Sequence, residues 1–295
     1  MVTKIKDIFN SNITLPNTVM LVGYGAIGKC FTEMLLDSHP NANLIVVDIF
    51  DHYDARFKYM KFKVTRENLK DLLKNLEKGD IYVDLSIGID FLDAWKACIN
   101  LGIMYLCTAT EDWADTEDEF CAFPESMDQM YETSIAWQHD QIEEMPQWNR
   151  NNGTTCVIEH GMNPGLISHF SKKGLTDAAQ FFLQHKKNPI YSDLDFELIE
   201  KYLNEKNYPK LAQACGLLTI HCSEIDNQWI NPAPKDCKTK FYNTWSCQGM
   251  FTEAFIPIQI AKGSHEDKVN EEFPRVKDDR FIMSWKPAYW YRGTN

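Results

Sequence analysis

No run of 18 apolar residues occurs anywhere in this 295-residue chain, which argues against a membrane-spanning helix. Basic residues are scarce. Lys and Arg number 30 against 42 Asp and Glu, a net charge of −12, so neither nucleic acid nor an anionic membrane is an expected partner. No CxxC pair exists among the nine cysteines (Cys30, Cys98, Cys107, Cys121, Cys156, Cys215, Cys222, Cys237 and Cys247). They are scattered, several within apolar runs, which reads as reduced thiols; no metal site is expected. The N-terminal MVTKIKDIFNSN lacks the apolar centre and small-residue cleavage site of a secretory leader, so a cytoplasmic location is expected. Internal repeats and low-complexity tracts are absent too.

What is present is the composition of a globular protein, 44% hydrophobic and 13% aromatic, long enough for two domains with their own cores. The acidic surplus would suit cationic substrates if it gathers in a pocket, and serves solubility otherwise.

The most informative stretch runs from Asn17 to Asp48. An apolar run, Val19 to Val22, leads into Gly23-Tyr-Gly25-Ala26-Ile27-Gly28, then a helical pattern, then a second apolar run ending at Asp48. Strand, glycine turn, helix and strand make a dinucleotide-binding unit. Gly23 permits the tight turn, Gly25 admits a pyrophosphate, and Gly28 lets helix and strand pack closely. The helix N-terminus supplies free N–H groups for phosphate. Asp48 stands where an acceptor for the adenosine ribose hydroxyls belongs, and a carboxylate there favours NAD over NADP.

Further along, Phe57 to Val64 reads as an edge-like strand, and Thr65-Arg-Glu-Asn-Leu as the capped start of a helix from Glu67 to Leu76. A strand follows from Ile81, with Asp84 and Ser86 near its carboxyl end, where open α/β sheets bind ligands. After a helix over Phe91 to Asn100, the strand Met104 to Thr108 runs into Glu111-Asp112-Trp113. Two carboxylates and an indole there suit a cation or amine, or make an ordinary polar loop. Residues 115–152 suggest a helical excursion. Cys156 to Glu159 is a short strand entering His160-Gly-Met-Asn163-Pro164-Gly165, which opens a helix. Residues 176–215 read as helical, and Leu217–Cys222, Phe241–Ser246 and Phe251–Ile260 as strands. The expected fold is α/β: a Rossmann doubly wound parallel sheet over residues 1–160, and an α+β substrate and dimerisation domain over 161–295.

Separated segments then share one pattern: Asp84-Leu-Ser86; Glu111-Asp-Trp113; His160-Gly-Met-Asn163-Pro-Gly-Leu-Ile-Ser-His169; Ile220-His-Cys-Ser-Glu224-Ile-Asp226-Asn-Gln228; and Phe241-Tyr-Asn-Thr-Trp245-Ser with Gly249, Glu253 and Pro257. With the glycine turn they resemble the bacterial-type homospermidine synthases of the saccharopine dehydrogenase-like superfamily, over about Val19 to Pro287. The resemblance implies amine chemistry with a retained NAD. Putrescine is oxidised to an imine by hydride transfer to NAD⁺, a second amine (putrescine, or spermidine as donor) exchanges with loss of ammonia, and the bound NADH reduces the new imine to sym-homospermidine. The enzyme is formally a transferase.

The same resemblance implies catalytic roles for Trp245, Glu224 and Glu253, and substrate binding by Asp84, Glu111, Asn163 and Asp226. Cofactor contacts are expected at Gly23, Gly25, Ala26, Ile27, Gly28, Asp48, Ser86, Thr108 and Pro164. A diammonium substrate needs carboxylates to balance its charge, and an indole face steadies a cationic chain without adding a base. Three departures stand out: Ile225 and Asn227 where the family has Arg and Thr, and Ile260-Ala-Lys262 in place of a tryptophan-glycine segment. The chain also reaches Asn295 before the family's Thr-His-Asn-Glu segment, so the second domain is expected to be C-terminally incomplete. Polyamines are the implied partners, with a homodimer possible. The rivals are a carboxynorspermidine- or saccharopine-type reductase, which would want an Arg or Lys clamp for its carboxylated substrate, and a catalytically silent NAD-binding protein.

Overall fold

Continuous apolar runs of four or five residues are what a parallel sheet covered on both faces requires, and this chain supplies them. In a computed structural model, described over residues 15–113, 135–145 and 153–225 with short pieces at 227, 233, 235–240, 242, 250, 259–261 and 281–283, six strands form one parallel sheet. They are β1 (Val19–Val22), β2 (Leu44–Asp48), β3 (Lys58–Lys61), β4 (Ile81–Asp84), β5 (Met104–Cys107) and β6 (Cys156–Val157), in the order β3-β2-β1-β4-β5-β6. The order reverses between β1 and β4, whose register sets Val22 beside Asp84. That reversal is where a doubly wound sheet opens a crevice at its carboxyl edge.

Alternate side chains go to opposite faces. Met20, Val22, Ile45, Val47, Tyr82 and Tyr105 pack on one side with α2 (Leu69–Leu73) and α3 (Phe91–Leu101). Val19, Leu21, Leu44, Val46 and Val83 pack on the other against Leu36 of α1 (Ala26–Ser38), where Phe31 and Leu35 close the layer. Each fully buried aliphatic chain contributes about 2 kcal/mol of transfer free energy. Polar anchors fix the strand starts. Buried Asp80 accepts the Thr18 and Glu77 N–H groups, both at 2.8 Å. Helix α3 is capped by the Asp90 carboxylate on the Asp93 N–H, and it stops at Gly102, whose φ of +71° permits a left-handed C-cap.

The helix expected over Glu67–Leu76 is shorter, because the Asn68 side chain takes the Thr65 N–H at 2.8 Å and the chain enters the helix only at Leu69. Of the excursion over 115–152, α4 (Ile135–Glu143) is described; residues 114–134 and 146–152 lie outside the described residues, as do 1–14.

The chain divides into two compact units: Met1–Glu159 with Phe241–Lys262 and Lys268–Asn295, and His160–Lys240 with Gly263–Asp267. This differs from the sequence-based division after residue 240. The short antiparallel pair β7 (Gln259–Ala261) and β8 (Phe281–Met283) falls in the first unit. The described part of the second unit is helical: α5 (Leu166–Gln184), α6 (Phe196–Asn204) and α7 (Tyr208–Ala214) close on Leu175, Ala179, Ile199 and Leu211. Leu217–Cys222, expected as a strand, has no partner strand among the described residues. With no second strand to pack beside, residues 218–225 are all exposed, Leu218 to 93%. Phe241–Ser246 and the first part of Phe251–Ile260 lie outside the described residues, apart from Tyr242. Among the described residues no helix is long and apolar enough to cross a membrane.

Candidate functional site

In the first unit the carboxyl edge of the sheet is built around the glycine turn. Gly23 has a φ of +92°, and a Cβ there would stand 2.5 Å from the Leu85 carbonyl oxygen. A Cβ on Gly28 would stand 2.2 Å from the Gly23 carbonyl oxygen. Both positions are closed by backbone. Gly25 differs: a Cβ there meets nothing within 4 Å, and Gly25, Ala26 and Ile27 are exposed. Helix α1 begins behind them with no side-chain cap and no acid in its first turn. Its leading N–H groups have no intrahelical acceptor, which is the setting an anionic phosphate occupies.

Asp48, at the end of β2, turns toward this loop. Its Oδ2 accepts the Tyr24 N–H at 2.6 Å and its Oδ1 the Phe50 N–H at 2.8 Å. The Tyr59 hydroxyl donates to the carbonyls of Asp48 and Phe50, pinning the following loop. His52 brings Nε2 to 3.6 Å from Asp48 Oδ1. Of the cations nearby in the fold, Arg56 is engaged with Glu33 and Asp54, Lys61, opposite Asp48 in register, with Asp51, and Lys29 lies over the Tyr24 ring, 5.9 Å from its centroid. Burial, then the charges of Asp54 and Glu33, pushes the Tyr24 phenol up; burial, then Asp48 and Asp51, does so for Tyr59.

Across the switch point, Asp84 is buried at the end of β4 and accepts both the hydroxyl and the N–H of Ser86, at 2.6 and 3.1 Å. Burial raises its carboxyl to about 6 despite those bonds. Glu111, after β5, is also pushed up, first by burial, with the charge of Asp84 adding to it. Of these two acids one is buried and one half-buried, and a cation at this edge would stabilise the ionised forms of both. Thr108 is half-buried after β5, and Thr110 beyond it bridges Glu159 and Gln138 at 2.9 and 3.1 Å. Trp113 does not join them: it is buried, donates its indole N–H to Asp93 at 2.8 Å and lies under Arg66. The thiols of Cys98, Cys107 and Cys156 are pushed up by burial and stay protonated.

In the second unit, Asn163 donates to Glu224 Oε1 at 3.4 Å. The loop holding Asn163 and Pro164 is closed by Gly161 N–H to the Pro164 carbonyl and Leu166 N–H to the Gly161 carbonyl, both at 2.9 Å. Gly165 is required there, since its φ is +121° and a Cβ would meet the Gly161 oxygen at 2.5 Å. Beside it, an apolar groove of about 790 Å³ runs between α5 and residues 215–223, lined by Phe170, Leu175, Phe182 and Leu217. Trp245, Glu253 and Asp226 lie outside the described residues. Among the described residues no three metal-binding side chains gather. The sequence reading did not single out His52 or Tyr59. They sit in a loop and on an edge strand without a telling period, and only the fold-back after β2 sets them on Asp48. Ile27, Ile49, Phe50 and Ile87 rim this edge and are 52–67% exposed.

Residues 19–157 match the family described as saccharopine dehydrogenase NADP binding domain. The chain is 28% identical over 262 residues to a homospermidine synthase of Mesorhizobium japonicum, covering 84% of this chain and 49% of that protein. A homospermidine synthase of Blastochloris viridis is 28% identical over 263 residues, covering 84% and 50%. The chain thus spans about half the length of the curated relatives it matches. The crystal structure of a homospermidine synthase from Legionella pneumophila in complex with NAD superimposes with a TM-score of 0.64 at 22% identity, covering 94% of this chain and 55% of that one. The chain is thus similar to homospermidine synthases over 84% of its length, and the match over residues 19–157 is to a nucleotide-binding domain of the saccharopine dehydrogenase type.

Proposed function

We propose that this chain acts as a homospermidine synthase-like transferase that retains NAD and works on putrescine, or on putrescine with spermidine. The observation that carries the reading is the pair of acids, buried Asp84 and half-buried Glu111, at the same sheet edge as an open glycine turn. A cofactor site beside partly desolvated carboxylates suits redox chemistry on a cationic amine.

The residues present fit NAD. The vacant side-chain position of Gly25 and the uncapped start of α1 leave room and donors for a pyrophosphate on Gly25 to Gly28. Asp48 keeps lone pairs for the ribose hydroxyls and sets a negative charge against an added phosphate. Ser86, Thr108 and Pro164 complete the set by family resemblance. When bound there, NAD would supply the hydride acceptor and donor for chemistry at the amine-bearing carbon.

The chain's own groups then bind and orient. Asp84 and Glu111 balance one ammonium; burial disfavours the charge of both, and since the Asp84 carboxyl is raised to about 6, cation binding near that pH releases its proton. Asn163, which donates to Glu224 Oε1 at 3.4 Å, is assigned to an amino end on resemblance. Glu224, Glu253 and Asp226 are assigned to the second charge, and Trp245 to the face of the carbon chain, on resemblance. A homodimer and a cytoplasmic location belong to the same proposal; the described cysteines are free thiols, as a reducing compartment would keep them.

The test is incubation of the chain with putrescine and NAD⁺, following homospermidine by mass spectrometry and ammonia by a coupled assay. Product that is lost in Trp245→Ala and Glu224→Gln supports the proposal. No product with NAD still bound supports the silent NAD-binding reading instead.

A further inference from the structure

Two buried phenols are stacked beside Asp84, on the face of the sheet covered by α2 and α3. Register sets Tyr105 of β5 opposite Tyr82 of β4 and Cys107 opposite Asp84, so the four side chains share that face. The two rings lie with centroids 5.9 Å and planes 22° apart, and Tyr105 is 2% exposed. Neither hydroxyl completes a hydrogen bond with a described residue. A buried polar group left so is destabilising and calls for an explanation. Of the two phenols, that of Tyr105 comes within reach of the Asp84 carboxyl, and of the Cys107 thiol next to it. Burial keeps the thiol protonated, so it has less call on a donor than a carboxylate has. Both Ser86 bonds to Asp84 fall on Oδ1, and Oδ2 is the oxygen open to the phenol. The other titratable groups around Asp84 are Tyr82 on its own strand, Cys98 of α3 and Glu111 beyond β5, all of them pushed up. Burial, Ser86 and Tyr105 act on the carboxyl and, among the described residues, no cation does; Arg66, before α2, is turned to Asp93 at 3.8 Å.

We propose that Tyr105 is a positioning residue for Asp84: its hydroxyl donates to Oδ2 of the ionised carboxyl and holds it in place to receive an ammonium. The proposal rests on the reading of Asp84 as an acid of the amine site. A neutral carboxyl draws the phenol weakly and a carboxylate draws it strongly, so the contact tightens on the charged form and favours it. The buried hydroxyl gains its partner at the moment the site takes up charge.

The pH dependence of stability in the full chain, by chemical denaturation, reads the contact without any ligand. The contribution of Asp84 falls as pH rises from 3.8 and levels off once the folded carboxyl is ionised, in the wild-type chain above about 6. Tyr105→Phe keeps the ring and its stack and removes the donor, and is expected to move the levelling pH up by about one to two units. Tyr82→Phe removes the neighbouring hydroxyl and is expected to leave that pH in place. In an Asp84→Asn background, Y105F is expected to act equally at every pH. Parallel curves for Y105F and the wild-type chain overturn the proposal, as does an equal displacement in Y82F. Should Y105F fail to fold, 3-fluorotyrosine at position 105, a stronger donor of nearly the same shape, is expected to lower the levelling pH, and an unchanged pH overturns the proposal. Calorimetric titration with putrescine in the presence of NAD⁺ then reads the site. Binding to Y105F is expected to be weaker by up to roughly tenfold at pH 7 and by less at pH 8.5. Equal putrescine affinity of the two chains at pH 7 overturns the positioning role. A displaced stability curve with no putrescine binding by the wild-type chain overturns the amine reading itself, and the positioning role with it.

Discussion

The Tyr24 backbone N–H donates to Asp48 Oδ2 at 2.6 Å, so the glycine turn after β1 and the acidic end of β2 form one hydrogen-bonded unit. Asp48 thus has a structural duty in addition to any ligand contact. Asp48→Ala leaves two backbone donors, Tyr24 and Phe50, without their acceptor, at a cost on the order of 1–3 kcal/mol. Chemical denaturation should show that loss, and calorimetry a fall in NAD affinity. Asp48→Asn keeps an acceptor and should recover part of the stability while changing cofactor preference. Equal stability of the Ala variant and the wild-type chain would show that water replaces the carboxylate.

The two glycines three residues apart should respond oppositely to alanine. Gly28→Ala drives a methyl to 2.2 Å from the Gly23 carbonyl and is expected to destabilise the fold by about 1–3 kcal/mol or more, read as a lower melting temperature. Gly25→Ala puts its methyl into open space at a φ of −75°, which alanine adopts readily. Stability should be unchanged or slightly higher, and NAD affinity lower. An NAD affinity unaffected by Gly25→Ala would remove the pyrophosphate from this turn.

Asp84 makes a pH prediction of definite sign. Burial raises its carboxyl from the usual 3.8 to about 6, so between those values the folded chain holds a proton that the unfolded chain has released. Stability from this group is therefore greatest below pH 4 and is lost as pH rises through 6, by on the order of 3 kcal/mol in all. Asp84→Asn keeps an acceptor for Ser86 without the charge. It should be more stable than the wild-type chain at pH 7 and similar at pH 4, and should bind putrescine more weakly. Parallel stability curves for the two chains across that range would contradict the assignment.

How far the sequence could be read depended on whether the signal was local. The β1–α1–β2 unit was legible because buried parallel strands are unbroken apolar runs and because Gly23 and Gly28 are places where backbone excludes a Cβ. Asp84 was legible by its place at a strand end. Trp113 was not, since nothing in Glu111-Asp-Trp tells a ligand-facing indole from one that turns inward to Asp93, twenty residues away. Leu217–Cys222 has the apolar texture of a strand, yet strand formation needs a partner that texture cannot supply. His52 depended on a chain reversal held by the Tyr59 hydroxyl, a contact between loop and edge strand with no period to announce it.

The exposed apolar rim of Ile27, Ile49, Phe50 and Ile87 has a thermodynamic consequence. Those side chains keep a shell of ordered water whose release carries a heat-capacity signature. Occupation of the crevice at the sheet edge would draw that water off, so the enthalpy of association would become steadily more favourable on warming.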